Sequence, residues 1–421
     1  MKLKRKIFGL FTIFVMIFCK ISFAEEPNIA SPAAILVEAS TGKILYQKNA
    51  FDKMYPASTT KVMTAILVLE NCDLNEMATV SYNAIYSLPS GYVNANLQKG
   101  EEISVKDLMY ALMVKSANDA AIVLAEHIGG SVEGFADMMN EKAIELGCKN
   151  THFVNPNGIH NDNHYSTAYD LYLMASYGMK NETFRKYVST ASYTLPATNL
   201  YPTTDRICIT TNDMIRPKSR YYNENVIGIK TGYTTEAKNC LIAGAQKNNT
   251  ELISVVLHSG TNTEGLSERY LDTNSLFDYG FQDFAFSDIV QKNEIVQNIE
   301  IENGKKNMKN LDLIAKNSLS GYFNKELDLE SLSPEITLNE NLMAPISTGD
   351  VLGSVSYTID GEKYTTELLA SHDVEKKFDV RILILPFAIV LLLLGIGMLK
   401  AQFRKKLKKK KHRYININRK F

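Results

Sequence analysis

Three short stretches, Ser58-Thr59-Thr60-Lys61, Ser116-Ala117-Asn118 and Lys230-Thr231-Gly232, carry side chains that complement one another chemically. A serine hydroxyl becomes a nucleophile once a base takes its proton, and a lysine becomes a base once burial and neighbouring cations lower its pKa. In S-x-x-K the two lie one helical turn apart on one face. Ser58 follows Pro56-Ala57 at the predicted head of an apolar helix, Val62 to Leu69, where free N–H groups and positive potential suit an oxyanion. Ser116 can relay a proton to a leaving amine, and Asn118 can bind a substrate amide carbonyl. Lys230 and Thr231, at the predicted end of an apolar strand, can hold a carboxylate. Gly232 lets an extended peptide approach the backbone closely, and the N–H of Tyr233 can join that of Ser58 as an oxyanion hole. Nucleophile, base, relay and anion clamp together describe acyl transfer, for which no metal or organic cofactor is needed.

Each motif alone is cheap. Ser40-Thr41-Gly42-Lys43 also fits S-x-x-K, but it falls in a hairpin turn and not at the head of an apolar helix. Ser81-Tyr82-Asn83 also fits S-x-N, and a serine or asparagine between helices usually just caps one. The Ser116 copy is the better one because apolar helices flank it. His160 and His164 have i,i+4 spacing, yet they lie in a Gly/Asn-rich loop with no third ligand evident, so no metal site is expected there.

The elements that must position these residues follow from periodicity. Ala34–Val37 and Lys43–Tyr46 alternate around a turn and predict a hairpin. Helical patterns cover Val105–Met113, Asp119–Ile128, Ala168–Ser176 and Glu268–Tyr279. Val226–Lys230, Asn239–Ala245 and Leu252–Leu257 are short apolar runs between turns and predict adjacent strands. Early strands, central helices and late strands predict one α/β (α+β) domain with an antiparallel sheet and a helical subdomain, over 25–285. Alternating runs punctuated by Gly349-Asp350 and Asp360-Gly361 predict a small all-β domain, a sandwich, over 290–370.

The 421 residues are formally neutral, but the charge is segregated. Residues 1–24 carry five Lys/Arg and 400–421 carry eleven, with no acid in either, which leaves 30 bases against 46 acids between them. The body of the chain therefore lacks a nucleic-acid footprint. The basic start, the apolar run Ile7–Phe18 and Ser22-Phe23-Ala24 predict a signal peptide, 1–24, cleaved after Ala24. Ile382–Leu399 is an 18-residue run without charge, long enough at roughly 27 Å for a transmembrane helix. The basic tail 400–421 behind it predicts a cytoplasmic end and a catalytic domain outside the cell, in a single-pass membrane protein. Cys72, Cys148, Cys208 and Cys240 form no C-x-x-C pair. Their spacing fits buried free thiols, with one disulfide left open.

Taken in order, the three motifs resemble those of the serine D-alanyl-D-alanine carboxypeptidases, the low-molecular-mass penicillin-binding proteins; the triplet is a recognised signature of penicillin-binding proteins and β-lactamases. Asn155-Pro156-Asn157-Gly158, His164-Tyr165-Ser166-Thr167-Ala168, Gly228 through Thr234, and Ala344-Pro345-Ile346 through Gly353 are similar to further stretches of that family. The resemblance implies a β-lactamase/transpeptidase-like fold, peptidoglycan stem peptide as substrate, acylation by β-lactams, and an arginine near the K-T-G strand, here Arg269, helping to bind the terminal carboxylate. The chain departs from the family at Lys238, where glycine is common, and in its anchor, which reads as spanning where many relatives use an amphipathic surface helix. A class A β-lactamase shares the motifs but adds E-x-x-L-N between the second and third; Glu335-Ile336-Thr337-Leu338-Asn339 matches only after Lys230. An endopeptidase acting on cross-links and a non-catalytic wall-binding scaffold are also compatible with parts of this pattern.

Overall fold

The computed structural model describes residues 26–379 and 381–417, so the expected signal peptide lies outside the described residues. The chain divides into two units: one runs through Ser287 and includes Gly321–Asp328, and the other comprises Asp288–Ser320 and the chain from Leu329 onward.

In the first unit, strands Ala33–Glu38 (β1), Ile44–Lys48 (β2), Val226–Thr234 (β3), Lys238–Lys247 (β4) and Thr250–Ser259 (β5) form one antiparallel sheet in the order β2-β1-β5-β4-β3. The period-2 alternation of these strands feeds two cores. Ile35, Val37, Ile242, Val255 and Leu257 point to the helical side, whereas Ala34, Leu36, Leu241, Ala243 and Val256 point to the opposite face with Tyr270, Leu276 and Phe277. The latter three come from the helix Glu268–Asp283, which outlasts its predicted end at Tyr279.

The helical side contains Lys61–Asn71 (α1), Val105–Met113 (α2) and Asn118–Gly129 (α3), with Val132–Glu145, Ala168–Met179 and Glu182–Ser189 around them. Ser104 caps α2 by accepting from the Asp107 N–H. Gly130, at φ 72°, closes α3 in the left-handed conformation that glycine adopts without strain. Ala120, Ala121, Val123 and Leu124 on α3 are all at most 1% exposed. Burial of the Val and Leu side chains alone stabilises this helix by roughly 1.5–3 kcal/mol each, which makes it a rigid mount for its first residue, Asn118.

Two expectations shift. The K-T-G triplet does not end its strand: β3 runs on to Thr234, with Lys230, Thr231 and Gly232 paired to Ile242, Leu241 and Cys240. The apolar run ends at Lys230, but the ladder with β4 continues because main-chain pairing is indifferent to the polar side chains. Helix α1 is entered through a 3₁₀ turn, Ala57–Thr60, so Ser58 sits in the turn ahead of the α-helix.

For the second unit the sequence predicts a sandwich. Its described residues form a five-stranded antiparallel sheet in the order Ile295–Glu300, Asn310–Ala315, Glu362–Ala370, Val351–Ile359, Glu335–Leu338, bulged at two points, with Leu311, Leu313, Val355 and Leu368 in the core. The E-x-x-L-N match falls in the edge strand of this sheet, where Glu335 accepts from Lys363 at 2.9 Å. That places it in a structural ladder with no catalytic loop around it. The helix Arg381–Ile417 continues beyond Leu399 into the basic tract, and its stretch Ile384–Lys410 is long and apolar enough to cross a membrane. Among the described residues Cys72, Cys148, Cys208 and Cys240 are free thiols, the last three of them buried.

Candidate active site

Ser58 is presented by strained backbone. Ala57, just before it, has φ 47°, and Ser116 has φ 65°, a region that residues with a Cβ seldom occupy. The turn is wedged between two close approaches. A Cβ on Gly232 would come within 2.9 Å of Pro56 O and 3.0 Å of Ser58 N, and one on Gly158 would come within 1.8 Å of Ala57 O. Only glycine at both positions lets strand β3 and the Asn155–Gly158 turn close on the serine from two sides.

Lys61 Nζ donates to Ser58 Oγ at 2.9 Å, to Asn118 Oδ1 at 2.9 Å and to the Asn157 carbonyl at 2.7 Å. Its side chain is fully buried. Burial first, and the Lys230 charge second, hold its pKa well below the ordinary lysine range, while Asp119 pulls weakly the other way. Both effects disfavour the ammonium and bring the neutral amine, the form that can accept a proton from Ser58, within easier reach. Lys230 Nζ donates to Ser116 Oγ at 2.9 Å and to Thr231 O at 3.0 Å. Burial and the nearby Arg269 charge lower its pKa to about 7. Two buried lysines thus flank two serine hydroxyls of one cleft.

Asn118 differs in detail from its expected part. Its Oδ1 is engaged by Lys61 and its Nδ2 donates to Val93 O at 2.8 Å, so in this state it orients the Lys61 amine and anchors a cleft wall. Asp119 next to it accepts from the N–H groups of Ala95 and Leu97 and holds the rest of that wall.

The cleft, about 450 Å³, is lined by Ser58, Ser116, Asn118, Thr231, Gly232, Tyr233 and Arg269. Of the candidate catalytic and substrate-binding residues, all but Lys61 and Lys230 line the cleft, and those two lie beneath it, hydrogen-bonded to its serines. Among the described residues strand β3 is the last strand of its sheet, so no further strand pairs with its outer edge, the side on which an extended peptide can add. Arg269 Nη1 donates to Gly232 O at 3.3 Å and its guanidinium stacks on Tyr270, while its buried Nε has no partner among the described residues. Tyr270 in turn donates to Thr211 O, and the Thr211 and Thr231 hydroxyls are hydrogen-bonded to each other.

Sequence reasoning misses Thr211, Asn157 and Gly158. Asn157 acts through its carbonyl, which no residue type reveals, and Thr211 arrives from a loop with no motif. Gly158 has a legible signal, a glycine ending an N-P-N-G turn. His164 is not a ligand: it is buried, with Nε2 2.8 Å from Thr60 Oγ1 and Nδ1 accepting from Val154 N. Lys238 adopts φ 55° at the β3–β4 turn, which explains why glycine is common there in the family it resembles.

Residues 20–261 match the family model described as D-alanyl-D-alanine carboxypeptidase, and residues 284–376 match that of the penicillin-binding protein 5 C-terminal domain. The chain is 34% identical to the D-alanyl-D-alanine carboxypeptidase DacF of Bacillus subtilis, over 82% of this chain and 86% of that one. It is 28% identical to DacC of Escherichia coli, over 83% and 86%. Among solved structures it superposes on DacD from Francisella tularensis with a TM-score of 0.65 at 26% identity, covering 85% of this chain and 96% of that one. With penicillin-binding protein 5 from Haemophilus influenzae the TM-score is 0.62 at 28% identity, covering 83% and 99%. A fully buried lysine amine against a serine hydroxyl, the strand edge beside it and these likenesses converge: the chain belongs to the serine-type D-alanyl-D-alanine carboxypeptidases of the penicillin-binding protein 5 family.

Proposed function

We propose that acyl transfer in this carboxypeptidase runs through Ser58, with Lys61 as its base. The observation that carries this reading is the 2.9 Å hydrogen bond between Ser58 Oγ and a fully buried lysine amine. The substrate is a peptidoglycan stem pentapeptide lying along the open edge of β3. Its terminal carboxylate is held by Lys230 and Thr231, with Thr211 and Arg269 behind them. Ser58 Oγ attacks the carbonyl between the last two D-alanines as its proton passes to Lys61. The oxyanion rests on the N–H groups of Ser58 and Tyr233. The C–N bond then breaks as the departing D-alanine amine takes a proton from Ser116, which Lys230 orients; the proton that Lys61 took from Ser58 replaces it on Ser116, which returns Lys61 to its neutral form. Water hydrolyses the ester, Lys61 again serving as base, and releases a tetrapeptide. Asn118 fixes Lys61 throughout and meets the substrate amide once the peptide enters.

β-Lactams acylate the same serine because they mimic the D-alanyl-D-alanine dipeptide. The signal peptide 1–24, the span 382–399 and the basic tail 400–421 fit a single-pass protein whose catalytic unit faces outward. The domain limits 25–285 and 290–370 belong to the same reading.

The test is mass spectrometry of the protein after benzylpenicillin, with the modified peptide sequenced. A penicilloyl adduct on Ser58, absent in Ser58→Ala, is expected; an adduct on another residue, or none on the wild type, overturns the assignment. A long-lived adduct separates this enzyme from a β-lactamase, and muropeptide digestion separates it from an endopeptidase.

A further inference from the structure

Away from the cleft, the chain brings a thiol, a carboxylate and an imidazole together. Cys72 caps the C-terminus of α1, Glu76 lies four residues further on, and His127 is in the last turn of α3. One donor atom from each of the three lies within 4.8 Å of the other two, and His127 Nε2 is 3.0 Å from Glu76 Oε2. Tetrahedral zinc with bonds of about 2.0–2.3 Å sets its ligands roughly 3.3–3.8 Å apart, so small side-chain rotations suffice to close the set. Sulfur, imidazole and carboxylate are the donors zinc favours. The His127 and Glu76 side chains are 25% and 47% exposed, which gives a cation a way in and leaves a fourth position for water. Two helix C-termini converge here, and their unsatisfied carbonyls add negative potential.

We propose that Cys72, Glu76 and His127 form a zinc-binding site that ties the far end of α1 to the far end of α3. At their near ends the same two helices carry Lys61 and Asn118, already joined by a hydrogen bond at 2.9 Å. An 11-residue helix is roughly 16 Å long, so the ion staples the pair one helix length from the cleft. Binding displaces the Cys72 thiol proton: one S–H bond breaks, one Zn–S bond forms, and a proton goes to solvent. Linear spacing hides the set, because His127 is remote from Cys72 in sequence.

The experiment uses untagged full-length chain in detergent, reduced and stripped with chelator. Co²⁺ titration is expected to give a thiolate-to-metal charge-transfer band saturating at one ion per chain. Zn²⁺ is expected to displace the cobalt and raise the melting temperature. Cys72→Ser should abolish the band, and His127→Gln should weaken binding at least tenfold, both with wild-type D-alanine release in metal-free buffer as the proof of folding. Absence of a stoichiometric band in the wild type, or a band that survives Cys72→Ser by way of Cys148, Cys208 or Cys240, overturns the proposal.

Discussion

Gly158→Ala is the sharpest perturbation of the site, because it touches no reacting side chain. The added methyl would stand 1.8 Å from Ala57 O, 2.4 Å from Ala57 C and 2.8 Å from Thr60 Oγ1, against 3.4 Å for an ordinary contact. Backbone cannot yield as a flexible side chain does, so the Asn155–Gly158 turn must retreat by roughly 1.5 Å, and misplacement of about 1 Å near reacting groups costs about 10²-fold. The retreat withdraws the Asn157 carbonyl from Lys61, to which it now stands at 2.7 Å. We therefore expect kcat/KM for D-alanine release to fall by about 10²–10³-fold. Gly158 also has φ +79°, so the left-handed backbone adds a stability loss of about 1–2 kcal/mol. Gly130→Ala is the matched control: it has φ +72° with nothing within 4 Å. It should lose comparable stability by thermal melt while keeping full activity. If Gly158→Ala retains activity within a few-fold of wild type, or if both variants lose activity in proportion to melting temperature, the wedge is not what sets the geometry.

Three further outcomes follow from the same site. Lys61→Arg places at this position a group that stays charged and cannot accept a proton, so D-alanine release should drop by at least about 10³-fold with the fold intact by circular dichroism; substantial residual turnover would remove Lys61 as base. Lys230 is lowered to about 7 from the ordinary lysine value of 10.5, so between these pH values the unfolded chain binds more protons and stability rises with pH. Lys230→Met should flatten that rise in denaturant titrations at pH 7 to 10 and stabilise the neutral-pH protein by about 1–2 kcal/mol, while abolishing carboxylate capture. Arg269→Leu removes a charge that holds the Lys230 pKa down, so the alkaline limb of the kcat/KM profile should move to higher pH. The loss of a charged contact worth about 1.5–3 kcal/mol should raise KM by about 10–100-fold with little change in kcat; an unmoved alkaline limb would contradict the coupling.

The parts of the fold that read cleanly from sequence are those where one periodicity dominates. Val105–Met113 begins and ends where the pattern says, because Ser104 caps it and every apolar position on it is buried. Strand ends are harder to read wherever pairing outlasts the apolar run, as at Lys230–Thr234. The serine, the two lysines and the threonine of the candidate site are legible because their chemistry resides in side chains. The Asn157 carbonyl, the Ala57 and Ser116 backbone strain and the free outer edge of β3 are not, because they are properties of main chain in three dimensions. For Asn118 the sequence suggests only a substrate contact, since nothing in S-x-N says that its oxygen already holds Lys61.

The dryness around Lys61 has a reach beyond the cleft. Its pKa is held down chiefly by the exclusion of solvent, ahead of any neighbouring charge. Water admitted to the layer in which Val62, Met63 and Leu108 are each sealed from solvent, as by a polar substitution there, would favour the ammonium form and lower reactivity. Hydrophobic filler in this helical layer is thus part of the acid–base apparatus, and a scan of plain aliphatic positions should turn up reactivity defects in molecules that still fold.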